Sequence, residues 1–217
     1  MDGDPARLVR RQIAYYDAEI PADGRRLPQG MRDRLESPPK GRVLEIACGV
    51  GAWTEVLLES ADSVTAVDAS PHRIAVCRER FGASSATFVC ADVFSWQPAD
   101  TFDFIVFAFW LSHVPTALFE SFWQSIREWL RPGGEVFFVD HAWGGPVPGG
   151  RAGEAREIVR RSVTDKREFD VVKVLHDPAE LSRALAILGW RTAITSDGAY
   201  VQGRLTRSSG PVTPATR

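Results

Sequence analysis

Arg42 to Asp68, reading RVLEIACGVGAWTEVLLESADSVTAVD, restricts what this chain can fold into more than any other stretch. Val43, Leu44 and Ile46 form a short apolar run that stops at a turn, Gly49-Val50-Gly51, and Trp53, Val56 and Leu57 then fall on one face of a helical repeat. The pattern is a buried strand, a tight turn and a helix. A second apolar run, Val64 to Val67, ends on Asp68, close to the offset at which nucleotide-binding α/β units place an acid for a ribose. Such a unit is expected to hold an adenosine.

The acid inside the first strand narrows the choice of ligand. Glu45 sits at the mouth of the turn, where it would repel a pyrophosphate, and Thr54 stands where a dinucleotide fingerprint needs glycine for close helix packing. A cationic adenosine ligand fits better. A glycine pair alone is a common strand-to-helix turn, but the whole run Glu45-Ile46-Ala47-Cys48-Gly49-Val50-Gly51 resembles the acidic glycine-rich motif of class I S-adenosylmethionine (SAM) dependent methyltransferases, E/D-x-G-x-G-x-G, with Ala47 in place of the first glycine. The resemblance extends over approximately Arg42 to Leu205. It implies a Rossmann-like α/β three-layer sandwich: a seven-stranded, mostly parallel sheet of order 3-2-1-4-5-7-6, helices on both faces and a small substrate cap. It also implies SAM as cofactor, with S-adenosylhomocysteine (SAH) as product.

The rest of the chain keeps the same rhythm. Val9, Ile13 and Tyr16 predict an N-terminal helix over Ala6 to Glu19, and a loop with a short helix near Met31 to Leu35 follows. Ser70-Pro71 caps a helix carrying Ile74, Cys77 and Phe81, and Ala86 to Cys90 and Phe104 to Phe109 read as strands. A helix through Leu118, Phe122, Ile126 and Leu130 is expected to close at Pro132-Gly133-Gly134, before a strand from Val136 to Val139. Asp177-Pro178-Ala179-Glu180 opens a last helix, and Thr192 to Thr195 with Tyr200 to Leu205 make a closing hairpin. Between the Val136–Val139 strand and that last helix, a cap insert at about 142–176 is expected to hold a helix striped by Ala155, Ile158, Val159 and Ser162, then an extended piece from Arg167 to Leu175. Residues 1–39 would be a helical lid, 40–207 the cofactor-binding domain and 208–217 a frayed tail.

A formal net charge of -2 argues against a nucleic-acid or anionic-membrane partner, and no apolar run approaches the roughly 20 residues of a membrane span. The N-terminus lacks the apolar core of a secretory leader, so a cytoplasmic monomer or homodimer is expected. Cys48, Cys77 and Cys90 have neither paired spacing nor nearby histidines; they read as small buried apolar residues, and no metal is expected.

The strand ends supply candidate ligands. The resemblance implies that Glu45 accepts from the SAM ammonium, that Asp68 accepts from the ribose hydroxyls, and that Asp92 and the Val93 N–H read the adenine; Ala47, Cys48, Gly49, Gly51 and Ala69 complete that wall. Each acid could instead be a simple helix cap. Tyr16 and Phe109 are expected near the fixed sulfonium charge, and Tyr15-Tyr16-Asp17 resembles the lid of small-molecule members. His113, after the fourth strand, is the candidate general base or substrate hydrogen bond, and Asp140 or His141, after the fifth, could orient it or contact the substrate. Its plain alternative is a histidine paired to backbone. Tyr15, Trp110, Trp143, Arg167 and Lys173 are candidate substrate contacts, although a basic cap is also what a solvated face looks like.

These residues point to methyl transfer from SAM onto a small aromatic or acidic metabolite, oxygen being favoured over nitrogen or carbon. An RNA or protein methyltransferase lacks support, since there is no basic stripe and no Asn/Asp-Pro-Pro-aromatic motif follows the fourth strand. A SAM-binding partner without chemistry of its own stays open, and a nicotinamide oxidoreductase is disfavoured by Glu45 and Thr54.

Overall fold

An apolar strand with no polar face belongs in the middle of a covered sheet, and β1 (Arg42–Ile46) lies there, parallel to both β2 (Ser63–Asp68) and β4 (Phe102–Ala108). The computed structural model describes residues 5–19, 27, 30–144 and 157–208. With β3 (Ala86–Cys90), β5 (Leu130–His141), β8 (Trp190–Ser196) and β9 (Tyr200–Arg207), the main sheet runs β3-β2-β1-β4-β5-β9-β8. The cap strands β6 (Ile158–Ser162) and β7 (Glu168–Val172) pair separately, so the main-sheet strands alone follow the expected order 3-2-1-4-5-7-6. Only the β5–β9 and β8–β9 pairings of that sheet are antiparallel.

The pleat splits the core into two layers. Leu44, Ile105 and Phe138 face a cluster with Trp123 and Trp190, whereas their neighbours Val43, Val106 and Phe137 face one with Leu57 and Ile74. Helices α2 (Ala52–Leu57), α3 (Pro71–Phe81), α4 (Phe119–Trp129) and α5 (Pro178–Ile187) supply residues to these layers. The expected caps are present: the Ser70 hydroxyl accepts from the Arg73 N–H at 3.2 Å, and the Asp177 carboxylate accepts from the N–H groups of Ala179 and Glu180 at 2.9 and 3.0 Å.

Three expectations change. Helix α4 stops at Trp129, and Leu130 is already extended, so Pro132-Gly133-Gly134 lies inside β5 rather than closing the helix; proline can be neither a helix interior residue nor preceded comfortably by one. The cap stripe Ile158, Val159 and Ser162 is not helical. Those residues form β6, paired antiparallel with β7, while Ala155 falls outside the described residues. Val159, Arg161 and Val163 turn inward and Ile158, Arg160 and Ser162 outward, a period of two that an inward-facing arginine disguised. Finally, Cys48 and Cys77 are buried but Cys90 is exposed at the end of the edge strand β3.

The ribbon and the first helix come together over the sheet. β7 packs on α1 (Pro5–Glu19), and the Gln12 side-chain carbonyl accepts from the Val172 N–H at 2.9 Å. Among the described residues no helix is long and apolar enough to cross a membrane.

Candidate active site

The carboxyl ends of β1, β2, β4 and β5 open into a cavity of about 540 Å³ whose walls also include residues of α1 and of the β6–β7 ribbon. Open parallel sheets form clefts at this edge because the chain there reverses into helices on opposite faces. The expected contacts Tyr15, Tyr16, Trp110, His113, His141 and Lys173 all reach it, as do Glu45, Asp68, Asp92 and the backbone-turn residues Ala47, Cys48 and Gly49. Ala69, Val93 and Phe109 complete the set found there.

Backbone strain marks the rim. Ala47, directly after β1, has φ 54°, and Phe109, directly after β4, has φ 56°. An L-residue in the left-handed region costs roughly 1–2 kcal/mol, which gives a physical reason for glycine at the first position of the acidic motif. Gly51 has a different role from the one expected. It is the N-cap of α2 at φ 83°, with the Phe81 ring where a side chain would stand, and it does not line the cavity.

The three acids differ in environment. Glu45 is buried, accepts from the Thr54 hydroxyl, and its carboxyl is pushed up to about 8, burial outweighing that bond. Asp68 accepts the Gly49 N–H on one oxygen and the Ser70 N–H on the other, both at 2.9 Å. Burial raises its carboxyl and the two N–H groups oppose the rise. Asp92 takes the Phe94 N–H at 3.0 Å and pairs with Arg10 of α1 at 2.9 Å. Capping and ligand binding are compatible here, because each carboxylate oxygen has a second lone pair.

The opposite wall is a connected polar network. His113 Nδ1 lies 2.6 Å from the Val172 carbonyl, which can only accept, so Nδ1 carries the proton and Nε2 accepts from the Tyr16 hydroxyl at 2.8 Å. Burial, with help from the Lys173 charge, lowers the imidazole to about 3. Burial and the neighbouring Tyr15 raise the Tyr16 phenol far above its ordinary range. The Lys173 ammonium donates to Ser112 Oγ at 2.7 Å and lies 3.1 Å from His141 Nδ1 and 3.6 Å from Asp140. An ammonium cannot accept, so His141 Nδ1 is the acceptor and the His141 proton sits on Nε2.

Among the described residues Asp140 makes no hydrogen bond to His113. It lies behind the wall, not on it, and accepts from the Ser112 N–H and hydroxyl at 2.8 and 2.9 Å. Burial alone would raise its carboxyl, but the Lys173 ammonium holds it well below the carboxylate range, and the His141 backbone N–H donates to it at 2.7 Å. Burial lowers Lys173, and Asp140 opposes that shift. Trp143 and Arg167 are likewise not in the cavity. Trp143 is 41% exposed, and Arg167 is exposed, paired with Asp165 at 2.7 Å and stacked over Phe169. Arg167 belongs to the turn between β6 and β7, whereas Trp143 follows the end of β5 with its ring toward solvent.

Sequence reasoning passed over Gln12, Arg73 and Tyr200 and gave no particular role to Arg161. Arg73 is buried on α3, and its Nε donates to Asp17 at 3.0 Å while Nη2 donates to the Tyr16 carbonyl, which ties α1 down beside the cavity. Its signal was an arginine three residues after a cap on an otherwise apolar helix face. Tyr200 meets Phe109 and His141 edge-on or tilted at 5.9 and 6.3 Å, across strands that no local pattern connects.

Residues 43–134 match the family described as "Methyltransferase domain". The solved structure of the DhpI–SAH complex is 34% identical, with a TM-score of 0.80, and the alignment covers 94% of this chain and 98% of that one. The chain belongs to the class I SAM-dependent methyltransferases. Among curated members of this kind, the malonyl-[acyl-carrier protein] O-methyltransferase of Paenibacillus sp. (strain JDR-2) is 35% identical over 63% of this chain and 55% of its own length. Phosphoethanolamine N-methyltransferase 1 of Arabidopsis thaliana is 26% identical over 88% of this chain but 37% of its own length. The chain thus spans about half or less of these two curated methyltransferases.

Proposed function

We propose that this methyltransferase domain moves a methyl group from SAM to an oxygen of a small acidic or aromatic-bodied metabolite. The observation that carries this reading is one cavity lined by unlike groups: three acids on the side of β1, β2 and the β3 exit, and the Lys173–His141 pair, 3.1 Å apart, from the other elements.

The residues fit the methyl donor. Glu45 would take the ammonium, since a cation returns the buried carboxyl to its ionised form. Asp68 has lone pairs left for the ribose hydroxyls, and Asp92 with the Val93 N–H would read the adenine once Arg10 yields that oxygen. Tyr16 and Phe109 present aromatic surface to the sulfonium. SAM supplies an electrophilic methyl: transfer forms the oxygen–carbon bond, breaks the carbon–sulfur bond and leaves the electron pair on sulfur as SAH.

The chain's own contribution is alignment and exclusion of water. His113 is not arranged as a free base. One nitrogen donates to backbone, the other is occupied by Tyr16, and a group near 3 is a weak proton acceptor at neutral pH. In this reading His113 orients the Tyr16 hydroxyl at the cavity, and the acceptor is an oxygen that has already lost its proton. The test is transfer from methyl-labelled SAM into a metabolite extract, followed by identification of the labelled product. An oxygen-bound methyl in a small molecule supports the proposal; label in an amine or in protein, or SAM binding with no transfer, removes it.

A further inference from the structure

Among the described residues, Arg161 is the one cavity-lining cation without a carboxylate partner. It lies on the inward face of β6, 9% exposed, and among the described residues no carboxylate stands within ion-pair distance of it. The contrast with its neighbours is local. Arg160, next in sequence and exposed, pairs with Asp170 at 3.1 Å, and Arg167 pairs with Asp165. On the cavity wall Arg10 has Asp92 and Arg73 has Asp17. Lys173 has its own counter-ion in Asp140, so among the described residues the far wall carries one surplus positive charge, on Arg161. A buried guanidinium without a partner is costly, and chains keep one where a ligand supplies the opposite charge.

The donors around it are directional. The His141 proton lies on Nε2, because Nδ1 accepts from Lys173, and that ring lines the same cavity beside Phe109 at 5.1 Å. Lys173 and Arg161 line the same cavity. Five N–H groups in a planar fork suit two oxygens of one anion better than any neutral group.

We propose that Arg161 anchors an oxyanion subsite, with Lys173 and the His141 Nε2–H as flanking donors, which takes a carboxylate or a phosphate-type group of the substrate. This rests on the methyl-transfer reading above and narrows its substrate to small oxyacids. Amines and quaternary ammonium compounds are excluded by like charge at the same wall.

The experiment uses the full chain saturated with SAH and titrated separately with acetate and with inorganic phosphate, in the wild type and in Arg161→Met. At least one anion should bind, and Arg161→Met should weaken it roughly 10- to 100-fold, as expected for a lost charge-assisted bond, while SAH affinity stays within about twofold. Arg161→Lys separates the two anion types: a point charge should recover phosphate binding more than the bidentate carboxylate. Should Arg161→Met fail to fold, Arg161→Gln gives the same comparison. Equal anion affinity in wild type and variant, or no binding of either anion to the SAH-bound wild type, overturns the subsite. Its failure is distinct from failure of the parent reading. Transfer to the oxygen of an uncharged acceptor, equal in wild type and Arg161→Met, would keep methyl transfer and remove the subsite; Arg161-dependent anion binding with label ending on nitrogen would do the reverse.

Discussion

Replacing Glu45 by glutamine isolates the buried acid of the cavity wall, which the proposed function gives to the SAM ammonium. The substitution keeps shape and keeps a carbonyl to accept from the Thr54 hydroxyl, but removes the charge. Burial pushes the Glu45 carboxyl up to about 8 from an ordinary 4.5. The folded chain therefore holds a proton that the unfolded chain releases between those values, so the stabilisation is complete below pH 4.5 and is lost as pH rises toward 8. At about 1.4 kcal/mol per unit, a span of 3.5 units (8 minus 4.5) has a ceiling of about 5 kcal/mol, and relaxation around the charge makes roughly 2–4 kcal/mol the expectation. Urea unfolding of the ligand-free protein from pH 5 to 9 measures it. The two proteins should be nearly equally stable at pH 5, and Glu45→Gln should be the more stable by roughly 2–4 kcal/mol at pH 9. Parallel stability curves across that range would show that Glu45 does not titrate inside the fold. A second consequence follows from the same linkage: a cation bound beside Glu45 must drive its proton off, so SAM binding near pH 7 should release a proton. Calorimetry in two buffers of different ionisation enthalpy reads this directly, and the release should vanish in Glu45→Gln.

Asp68→Ala should lower SAM affinity by about 10- to 100-fold and cost about 1–3 kcal/mol of stability, because the Gly49 and Ser70 N–H groups lose their acceptor; equilibrium binding and denaturant titration separate the two effects. With His113 low at about 3, kcat/KM should show no limb from it between pH 5.5 and 8, and Tyr16→Phe should lower turnover comparably to His113→Ala. A limb near pH 6.5 that disappears in His113→Ala would restore it as the base. Lys173→Met strands Asp140 inside the protein and should destabilise it by about 3–5 kcal/mol, with Lys173→Met/Asp140→Asn recovering part of the loss in thermal unfolding.

The frame and the acidic wall were legible because their causes are local. A strand buried on both faces shows itself as an unbroken apolar run, and Ser70-Pro71 or Asp177-Pro178 states where a helix must start. Acids at strand ends fall on one edge as soon as the strands are parallel, which is why Glu45, Asp68 and Asp92 could be placed without coordinates. The acceptor wall was less legible, because its residues meet through contacts far apart in sequence. Gln12 finds the backbone of Val172, Tyr16 finds His113, and Ser112 settles Asp140 behind Lys173. In the cap, a charged residue on the inward face of β6 broke the apolar alternation that identifies a strand, so Ile158 and Val159 suggested a helix and Arg161 passed for a solvated charge. The same burial that hid Arg161 from pattern reading is what gives it a functional meaning.

In the proposed function, one cavity brings a methyl donor held by acids against an acceptor oxygen held by cations. The most direct test is 13C NMR of the product formed from methyl-13C SAM, the purified chain and a pool of small acids. The account predicts a single labelled methyl ester or ether of an acid, with its formation reduced at least tenfold in both Asp68→Ala and Lys173→Met after correction for folded fraction. A labelled methyl on nitrogen or carbon, or label incorporation indifferent to both substitutions, would contradict it.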